Sequence, residues 1–297
     1  MPQEGPQNRT EVRQRRDAAS WRKFLRLLTR SKLMLAGSVL AILIILTAAL
    51  ADLLAPYDPL LMNSTDALKG PSADYLFGTD RFGRDVLSRT IHGSRISLWV
   101  GIASAAISMT VGTLVGLISG YFGGWIDNII GRVMDVFFSF PGLLLAIAVA
   151  AVLGPSLNNA LLAIAVVYTP PFSRIVRGSV AVERNKEYVD AARLIGAPTW
   201  RIVARHVLPN VLSPIIVQGS VILSLAILTE SYLSYLGLGT QPPTPSWGSM
   251  LSEGRTFLET APWISVFPGL AIVTAVLAFN LLGDGLRDVL DPQLRSA

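Results

Sequence analysis

Six long apolar runs constrain the fold of this chain more than any other feature of its sequence. Each has about the twenty residues that an α-helix needs to cross the hydrocarbon core of a bilayer. With 51% hydrophobic and only 15% charged residues, the chain is too apolar for an ordinary soluble domain. We predict an all-α, polytopic membrane protein with six transmembrane helices. The runs lie roughly at 33–54, 97–121, 129–153, 158–176, 211–236 and 263–282.

The uneven distribution of Lys and Arg predicts the orientation of these helices. Six spans place both termini on one side of the membrane, together with the loops 121–132 and 177–210. That side holds 19 of the 25 basic residues, and short basic loops stay in the cytoplasm. The termini and both loops are therefore predicted to be cytoplasmic. The net charge of +5 reflects this topology and contact with the lipid bilayer, not binding of nucleic acid.

This topology divides the chain into parts. The predicted parts are a basic cytoplasmic tail with an amphipathic stretch at 1–32, a first transmembrane helix at 33–54, an extracytoplasmic loop at 55–96, and a five-helix core at 97–297 that contains the polar loop 177–210.

The longest polar interruption of the apolar core begins with a predicted short helix. Residues 187–210, hereafter the 187–210 segment, read EYVDAARLIGAPTWRIVARHVLPN. Ala191 and Ala192 are strong helix formers, and Asp190 lies in the first turn of the helix, where an acidic side chain is favourable. We expect this helix to extend from about 188 to 195.

A second short helix is predicted after a break. Gly196 interrupts the first helix, and Pro198 suits the first turn of a helix over 199–207. Leu208 and Pro209 are expected to end it. The segment is thus predicted to form two short helices at an angle between two membrane spans.

The order of these residues resembles the EAA loop of ATP-binding-cassette (ABC) importer permeases. The pattern is DAA, three residues, G, nine residues, H, one residue, LP. Asp190 replaces the usual Glu, and His206 replaces a usual Ile. The ending HVLPN is similar to that of the peptide/nickel branch of these permeases.

Three further motifs resemble the C-type subunits of the same branch. They are GTDRFGRDVLSR at 78–89, LGLGTQPPTPSWG at 236–248 and GDGLRD at 283–288. The resemblance thus extends over most of the chain, and the motifs occur in the order found in that branch.

The first of these motifs is not a phosphate-binding loop, although Gly78 and Gly83 have the spacing of one. Arg84 and Asp85 follow in place of Lys and Ser or Thr, and no strand pattern precedes the motif. Asp80 and Asp85 are instead expected to pair with Arg81, Arg84 or Arg89 and to fold the outer loop around Thr79. A role in receiving a binding protein remains an alternative.

Two features of the spans predict helix packing and helix breaks. Gly112, Gly116 and Gly120 recur every four residues, which lets another helix approach closely, within the subunit or between subunits. Pro141 is expected to interrupt the third span. Before that break, Arg132 and Asp135 have the spacing of an ion pair within one helix.

The resemblance implies one membrane-spanning half of an ATP-driven importer in the bacterial cytoplasmic (inner) membrane. Its implied solutes are di- or oligopeptides, nickel complexes or similar small solutes. The implied partners are a homologous B-type permease subunit, two ABC ATPase subunits that carry the ATP and Mg, and an extracytoplasmic solute-binding protein.

The resemblance also implies how the segment works, as a coupling loop that seats in a groove on one ATPase. Glu187 and Asp190 would pair with basic groups there, and Ala191 and Ala192 would allow close contact. Gly196 and Pro198 would set the angle between the helices. Ile195, Leu208 and Pro209 complete the motif.

No pattern in the sequence indicates an enzyme, a metal site or a cofactor of this chain. The two histidines, His92 and His206, are predicted on opposite sides of the membrane, and there is no cysteine. A secondary carrier is a less favoured alternative, because carboxylates are scarce in the spans. A membrane-embedded receptor or scaffold is another. The solute itself is not determined by the sequence.

Overall fold

The computed structural model describes residues 32–290 and is built almost entirely of helices. Within this range, β-type pairing is confined to one isolated bridge between Thr79 and Asp85. Five of the described helices are long and apolar enough to cross a membrane, or six if a bent pair is one span. The predicted all-α membrane fold is confirmed. The predicted tail, apart from Lys32, lies outside the described residues.

The helices follow the predicted spans, with short helices between them. They are α1 (Lys32–Ala49), α2 (Ala51–Leu54), α3 (Val86–Phe122), α4 (Gly124–Phe138), α5 (Gly142–Leu153), α6 (Leu157–Glu183), α7 (Glu187–Leu194), α8 (Thr199–Ile202), α9 (Leu208–Tyr235), α10 (Trp247–Gly254) and α11 (Trp263–Leu290).

Helix α3 begins earlier than the second predicted span, at Val86 rather than at 97. The Asp85 side chain caps it by accepting a hydrogen bond from the Ser88 backbone N–H, at 2.8 Å. Its first turns are polar, and apolarity alone therefore did not reveal them. The connection before the helix ends at Asp85 instead of at 96.

The third predicted span is broken at Pro141, as the sequence predicted. Helices α4 and α5 meet at an angle of 87°, because Pro141 cannot donate the next helical hydrogen bond. The predicted ion pair between Arg132 and Asp135 is wrong. Asp135 Oδ1 instead accepts from Arg174 Nη2 of α6 at 3.0 Å, since the polar face of α4 lies against that helix.

Close packing of α3 against α6 forms the centre of the bundle. A Cβ atom added at Gly116 would lie 2.7 Å from the Ser173 carbonyl oxygen, and one at Gly120 would lie 2.7 Å from that of Arg177. One at Gly112 would meet the Phe172 ring at 2.9 Å. The predicted glycine stripe therefore packs within the subunit, and the two helices run parallel.

Helix α9 runs antiparallel to α3 and continues from the 187–210 segment without a break. The prediction that Leu208 and Pro209 end the second short helix is wrong. Residues Val203–Val207 form a π-helical turn, in which the Leu208 N–H donates to the Val203 carbonyl. This wider turn accommodates Pro209, which has no N–H to donate. The chain therefore stays helical from Thr199 to Tyr235.

Helices α3 and α6 run in one direction and α9 runs in the other, so residues 55–85 and residues 187–210 lie at opposite ends of the bundle. We name these ends the 55–85 end and the 187–210 end. Helix α1 lies at the edge and packs on α11, where a Cβ atom at Gly37 would be 2.6 Å from the Leu282 backbone nitrogen. Helix α10 and the residues around it cover the 55–85 end.

Candidate functional site: the 187–210 segment

The turn between the two short helices is set by Gly196. This residue has a φ of +77°, a left-handed conformation that glycine adopts without strain. Its N–H donates to the Arg193 carbonyl at 3.0 Å, and the Ala197 N–H donates to the Ala192 carbonyl at 3.1 Å. This pair of bonds is the Schellman end of α7. Pro198 then occupies the N-cap position of α8, and its carbonyl accepts from the Arg201 N–H at 2.9 Å.

Apolar side chains fix the segment to the bundle. Val189 and Val207 are fully buried, and Ile202 is 1% exposed. They share a core cluster with Leu117 of α3 and Val180 of α6. Because the same cluster continues into α9, the segment is packed onto three long helices.

Two arginines add polar anchors to the same helices. Arg184 Nη1 donates to the carbonyls of Gly120 and Tyr121, each at 2.9 Å, and so satisfies the exposed carboxyl end of α3. Arg193 of α7 lies over the Tyr121 ring, 5.6 Å from its centroid. Helix α7 therefore contacts α3 directly.

Tyr188 joins the beginning of the segment to its end. Its hydroxyl donates to the Glu183 carboxylate and accepts from Asn210 Nδ2 at 3.1 Å. Burial and the hydrogen bond to Glu183 raise the pKa of Tyr188 to about 12. The phenol therefore keeps its proton, and the hydrogen bond to Glu183, at any physiological pH.

The tip of the segment is apolar and exposed. Leu194, Ile195 and Trp200 are 88%, 84% and 67% exposed. These three residues, hereafter the apolar tip, flank the turn at Gly196. Large apolar side chains gathered on a surface indicate a partner that covers them.

The other predicted residues of the motif divide between surface and core. Ala192 is 6% exposed and packs into the core of this chain, so it supports the fold instead of offering a docking surface. Asp190 binds Arg193 within α7 at 2.9 Å. The exposed positions are Glu187, Asp190, Ala191, Pro198 and Pro209, whereas Leu208 is half-buried.

The predicted outer-loop motif lies at the other end and forms a buried charge network. Asp80 accepts from Arg84 Nε at 2.7 Å and also binds Arg89. All three side chains are 2–3% exposed. The predicted pairing of Asp80 with Arg84 and Arg89 is confirmed, whereas Arg81 is exposed and Asp85 caps α3 instead of pairing.

Glu253 of α10 completes this network, and sequence reasoning missed it. Its carboxylate accepts from Arg84 Nη2 at 2.8 Å and from Arg89 Nη1 at 2.9 Å. No local pattern marks a glutamate that lies far along the chain from its partners. The 55–85 residues fold around this network, with Gly78 and Gly83 in left-handed turns and Thr79 bonded to the Lys69 backbone N–H at 2.8 Å.

A bundle of helices that are long and apolar enough to cross a membrane defines the class of multi-pass membrane proteins. The chain belongs to the family of binding-protein-dependent transport system inner membrane components, whose model matches residues 112–296. A second model, the N-terminal transmembrane domain of oligopeptide transport permease C, matches residues 20–71. The protein is therefore an ABC importer permease subunit of the C type, as its motifs predicted.

Relatives of nearly the same length support this assignment. The chain is 47% identical to the dipeptide transport system permease protein DppC of Alkalihalophilus pseudofirmus, over 93% of this chain and 91% of the relative. It is 46% identical to the glutathione transport system permease protein GsiD of Pectobacterium atrosepticum, over 96% and 95%. It is 45% identical to the di/tripeptide permease protein DppC of Pseudomonas aeruginosa, over 93% and 92%.

A solved structure supports the fold. The inward-facing MetNI methionine ABC transporter contains a chain that matches with a TM-score of 0.56 and 18% identity. The match covers 69% of this chain and 97% of the other. At this identity the likeness concerns the arrangement of the helices alone.

Proposed function

We propose that this chain is one membrane-spanning half of an ATP-driven importer of short peptides, and that the 187–210 segment transmits the force. The segment docks on the cytoplasmic side in a groove of an ABC ATPase subunit. A homologous B-type permease forms the other half, and an extracytoplasmic binding protein delivers the solute. ATP and Mg are held by the ATPase subunits.

The observation that carries this proposal is the apolar tip on a firmly anchored segment. Leu194, Ile195 and Trp200 are 88%, 84% and 67% exposed, whereas Ala192 before them and Ile202 after them are buried. Burial of such side chains against a partner contributes much of the free energy of protein association. A docked ATPase would shield them from water.

The anchors of the segment support its role in transmitting movement. The buried cluster and Arg184 join it to α3, α6 and α9. Packed cores resist gradual deformation and transmit displacement instead. A pull on the segment would therefore turn these three helices together and switch access between the two sides of the membrane.

The solute class is supported by the names of the relatives. The three described above are named for dipeptides, glutathione and di- or tripeptides, all of them short peptides. None of these three relatives is named for nickel.

Gly196 provides a test of docking. We expect Gly196→Asp to leave the protein folded in the membrane and to abolish ATP-driven peptide uptake, because it places a charge in the centre of the apolar tip. A Cβ atom at Gly196 would meet no atom within 4 Å, so the side chain clashes with nothing, and the strain of a side chain at a φ of +77° is common to Asp and Asn. Uptake of labelled dipeptide by cells or by reconstituted complex is the measurement.

Gly196→Asn is the matched control, since Asn has the shape of Asp without its charge and tolerates a positive φ. It should retain much more uptake than Gly196→Asp. Near-normal uptake by the Asp variant would contradict the proposal, and so would equal losses in both variants.

A further inference from the structure

Glu230, near the end of α9, is a buried carboxyl group at the 55–85 end that the proposed function does not use. It is 1% exposed. Its Oε1 accepts from the Ser234 hydroxyl at 2.7 Å. Its Oε2 has no hydrogen-bond partner in the part of the chain that the structure describes. Because most buried polar atoms are hydrogen-bonded, such an oxygen needs a physical explanation.

The groups that face this carboxyl group are hydroxyls and not cations. They belong to Ser97 of α3, to Ser231 and Ser234 of α9, and to Ser246 at the start of α10. Among residues 32–290, no basic side chain lies within ion-pair distance of Glu230. Three helices therefore meet at a carboxyl group that has no counter-ion.

The charged side chains of the neighbouring helices are occupied elsewhere. Arg89 of α3 binds Asp80 and Glu253 of α10, and Arg95 of α3 binds Asp52. Helices α6 and α11 carry their charged residues toward the 187–210 end, and α5 carries none. An ionised carboxylate would thus be buried without a partner, and in such a site a proton neutralises the group instead.

Helix α10 closes over Glu230, because its first turn packs between α3 and α9. A Cβ atom at Gly93 of α3 would lie 3.2 Å from Cδ1 of Trp247, and one at Gly248 of α10 would lie 2.3 Å from the Ser231 carbonyl oxygen of α9. These contacts are as close as backbones allow. Water therefore reaches the carboxyl group only when α10 moves away from the other two helices.

We infer that Glu230 is un-ionised while α10 is in place and that it acts as a proton-dependent joint between α10 and the ends of α3 and α9. When α10 moves away, the carboxyl O–H bond breaks and the proton passes to water. The carboxylate that remains is hydrated, and it stabilises the open form. This inference goes beyond the proposed function and does not depend on docking of the 187–210 segment.

The direction of the pH dependence follows from this release of a proton. Under acidic conditions, Glu230 is un-ionised in both forms, so opening does not depend on pH. At higher pH, opening releases a proton, and the equilibrium shifts toward the open form by up to about tenfold per pH unit. Glu230→Gln is neutral at every pH and should remove this dependence.

Infrared spectroscopy of the full-length chain in nanodiscs at neutral pH tests whether Glu230 carries a proton. We expect wild type to show the carbonyl band of an un-ionised carboxyl group, and Glu230→Gln to lack it. Glu259→Gln, the same change at an exposed glutamate of the 55–85 end, should keep the band. The inference is overturned if wild type lacks the band or if Glu230→Gln retains it.

Amide hydrogen exchange of α10, measured by mass spectrometry, tests the joint itself. Comparing Glu230→Gln with wild type at each pH cancels the intrinsic pH dependence of exchange. The two should exchange equally under acidic conditions. As the pH rises, wild type should become faster than the variant by up to about tenfold per pH unit, and Glu259→Gln should follow wild type. A constant ratio at every pH would show that α10 opens without releasing this proton.

Thermal unfolding of Glu230→Gln provides a further check. Gln has the shape of un-ionised Glu, so the thermal midpoint under acidic conditions should match that of wild type. Failure of this variant to fold would also overturn the inference, because the site would then require a negative charge. None of these measurements involves ATP or an ATPase subunit, so their outcome is separate from that of the proposed function.

Discussion

The two ends of this molecule carry sequence motifs that are equally conspicuous but are used in opposite ways. At the 55–85 end, the charged residues of the motif are buried and pair with one another: Asp80, Arg84 and Arg89 are 2–3% exposed. At the 187–210 end, the apolar residues of the motif are on the surface. Leu194 and Ile195 are more than 80% exposed.

This difference shows how burial separates a structural motif from a docking motif. Buried charges that meet opposite charges within the chain need no partner, and removing one member is costly. Exposed apolar side chains on a rigid support have no such partner inside the chain. We therefore expect substitutions at the 55–85 end to reduce stability, and those at the apolar tip to reduce transport while leaving stability unchanged.

The largest loss of stability is expected for Arg89→Ala. It leaves the buried Asp80 and the carboxylate of Glu253 with Arg84 alone, so the free energy of unfolding should fall by about 3 kcal/mol, near the low end for a broken buried pair. Thermal unfolding of the purified protein is the measurement. Arg81→Ala, an exposed neighbour in the same motif, should change little. Equal stability of the two variants would remove the contrast between the ends.

A smaller loss is expected for Gly116→Ala, which tests the support beneath the 187–210 segment. The added Cβ would lie 2.7 Å from the Ser173 carbonyl oxygen, so α3 and α6 must move apart at a cost of about 1–3 kcal/mol. Gly178→Ala on α6 is the control, because a Cβ there would meet nothing within 4 Å. It should be neutral or slightly stabilising. A lower thermal midpoint for the control than for Gly116→Ala would refute this packing.

The smallest change in stability is expected for Ile195→Ser, although its effect on transport should be large. Ile195 is 84% exposed, so the free energy of unfolding should stay within about 0.5 kcal/mol of wild type. Loss of an apolar anchor should weaken binding of the ATPase about tenfold, as measured by co-purification and uptake. Leu258→Ser, 55% exposed at the 55–85 end, should leave ATPase binding intact. If Ile195→Ser unfolds the protein instead, the tip belongs to the core.

The sequence by itself determined the features that depend on local chemistry. Apolar runs of sufficient length predicted the spans, since a lipid environment requires each span to satisfy its own backbone. Pro141 predicted the break between α4 and α5, because proline has no N–H to donate to a helix. Gly196 predicted the turn between α7 and α8, because glycine adopts a left-handed conformation without strain. The 187–210 segment was recognised from the spacing of its residues, the spans that flank it and its terminal Leu-Pro together.

Only the tertiary structure decided which residues meet. Glu253 forms ion pairs with Arg84 and Arg89. Asp135 pairs with Arg174 and not with Arg132 of its own helix. No local sequence pattern encodes either contact. The burial of Ala192 beside the exposed Ala191 depended on where α7 packs. The helix also continues through Pro209, because the π-helical turn before it accommodates a residue without an N–H. Each outcome follows from contacts between distant parts of the chain, which the spacing of residues along the sequence does not record.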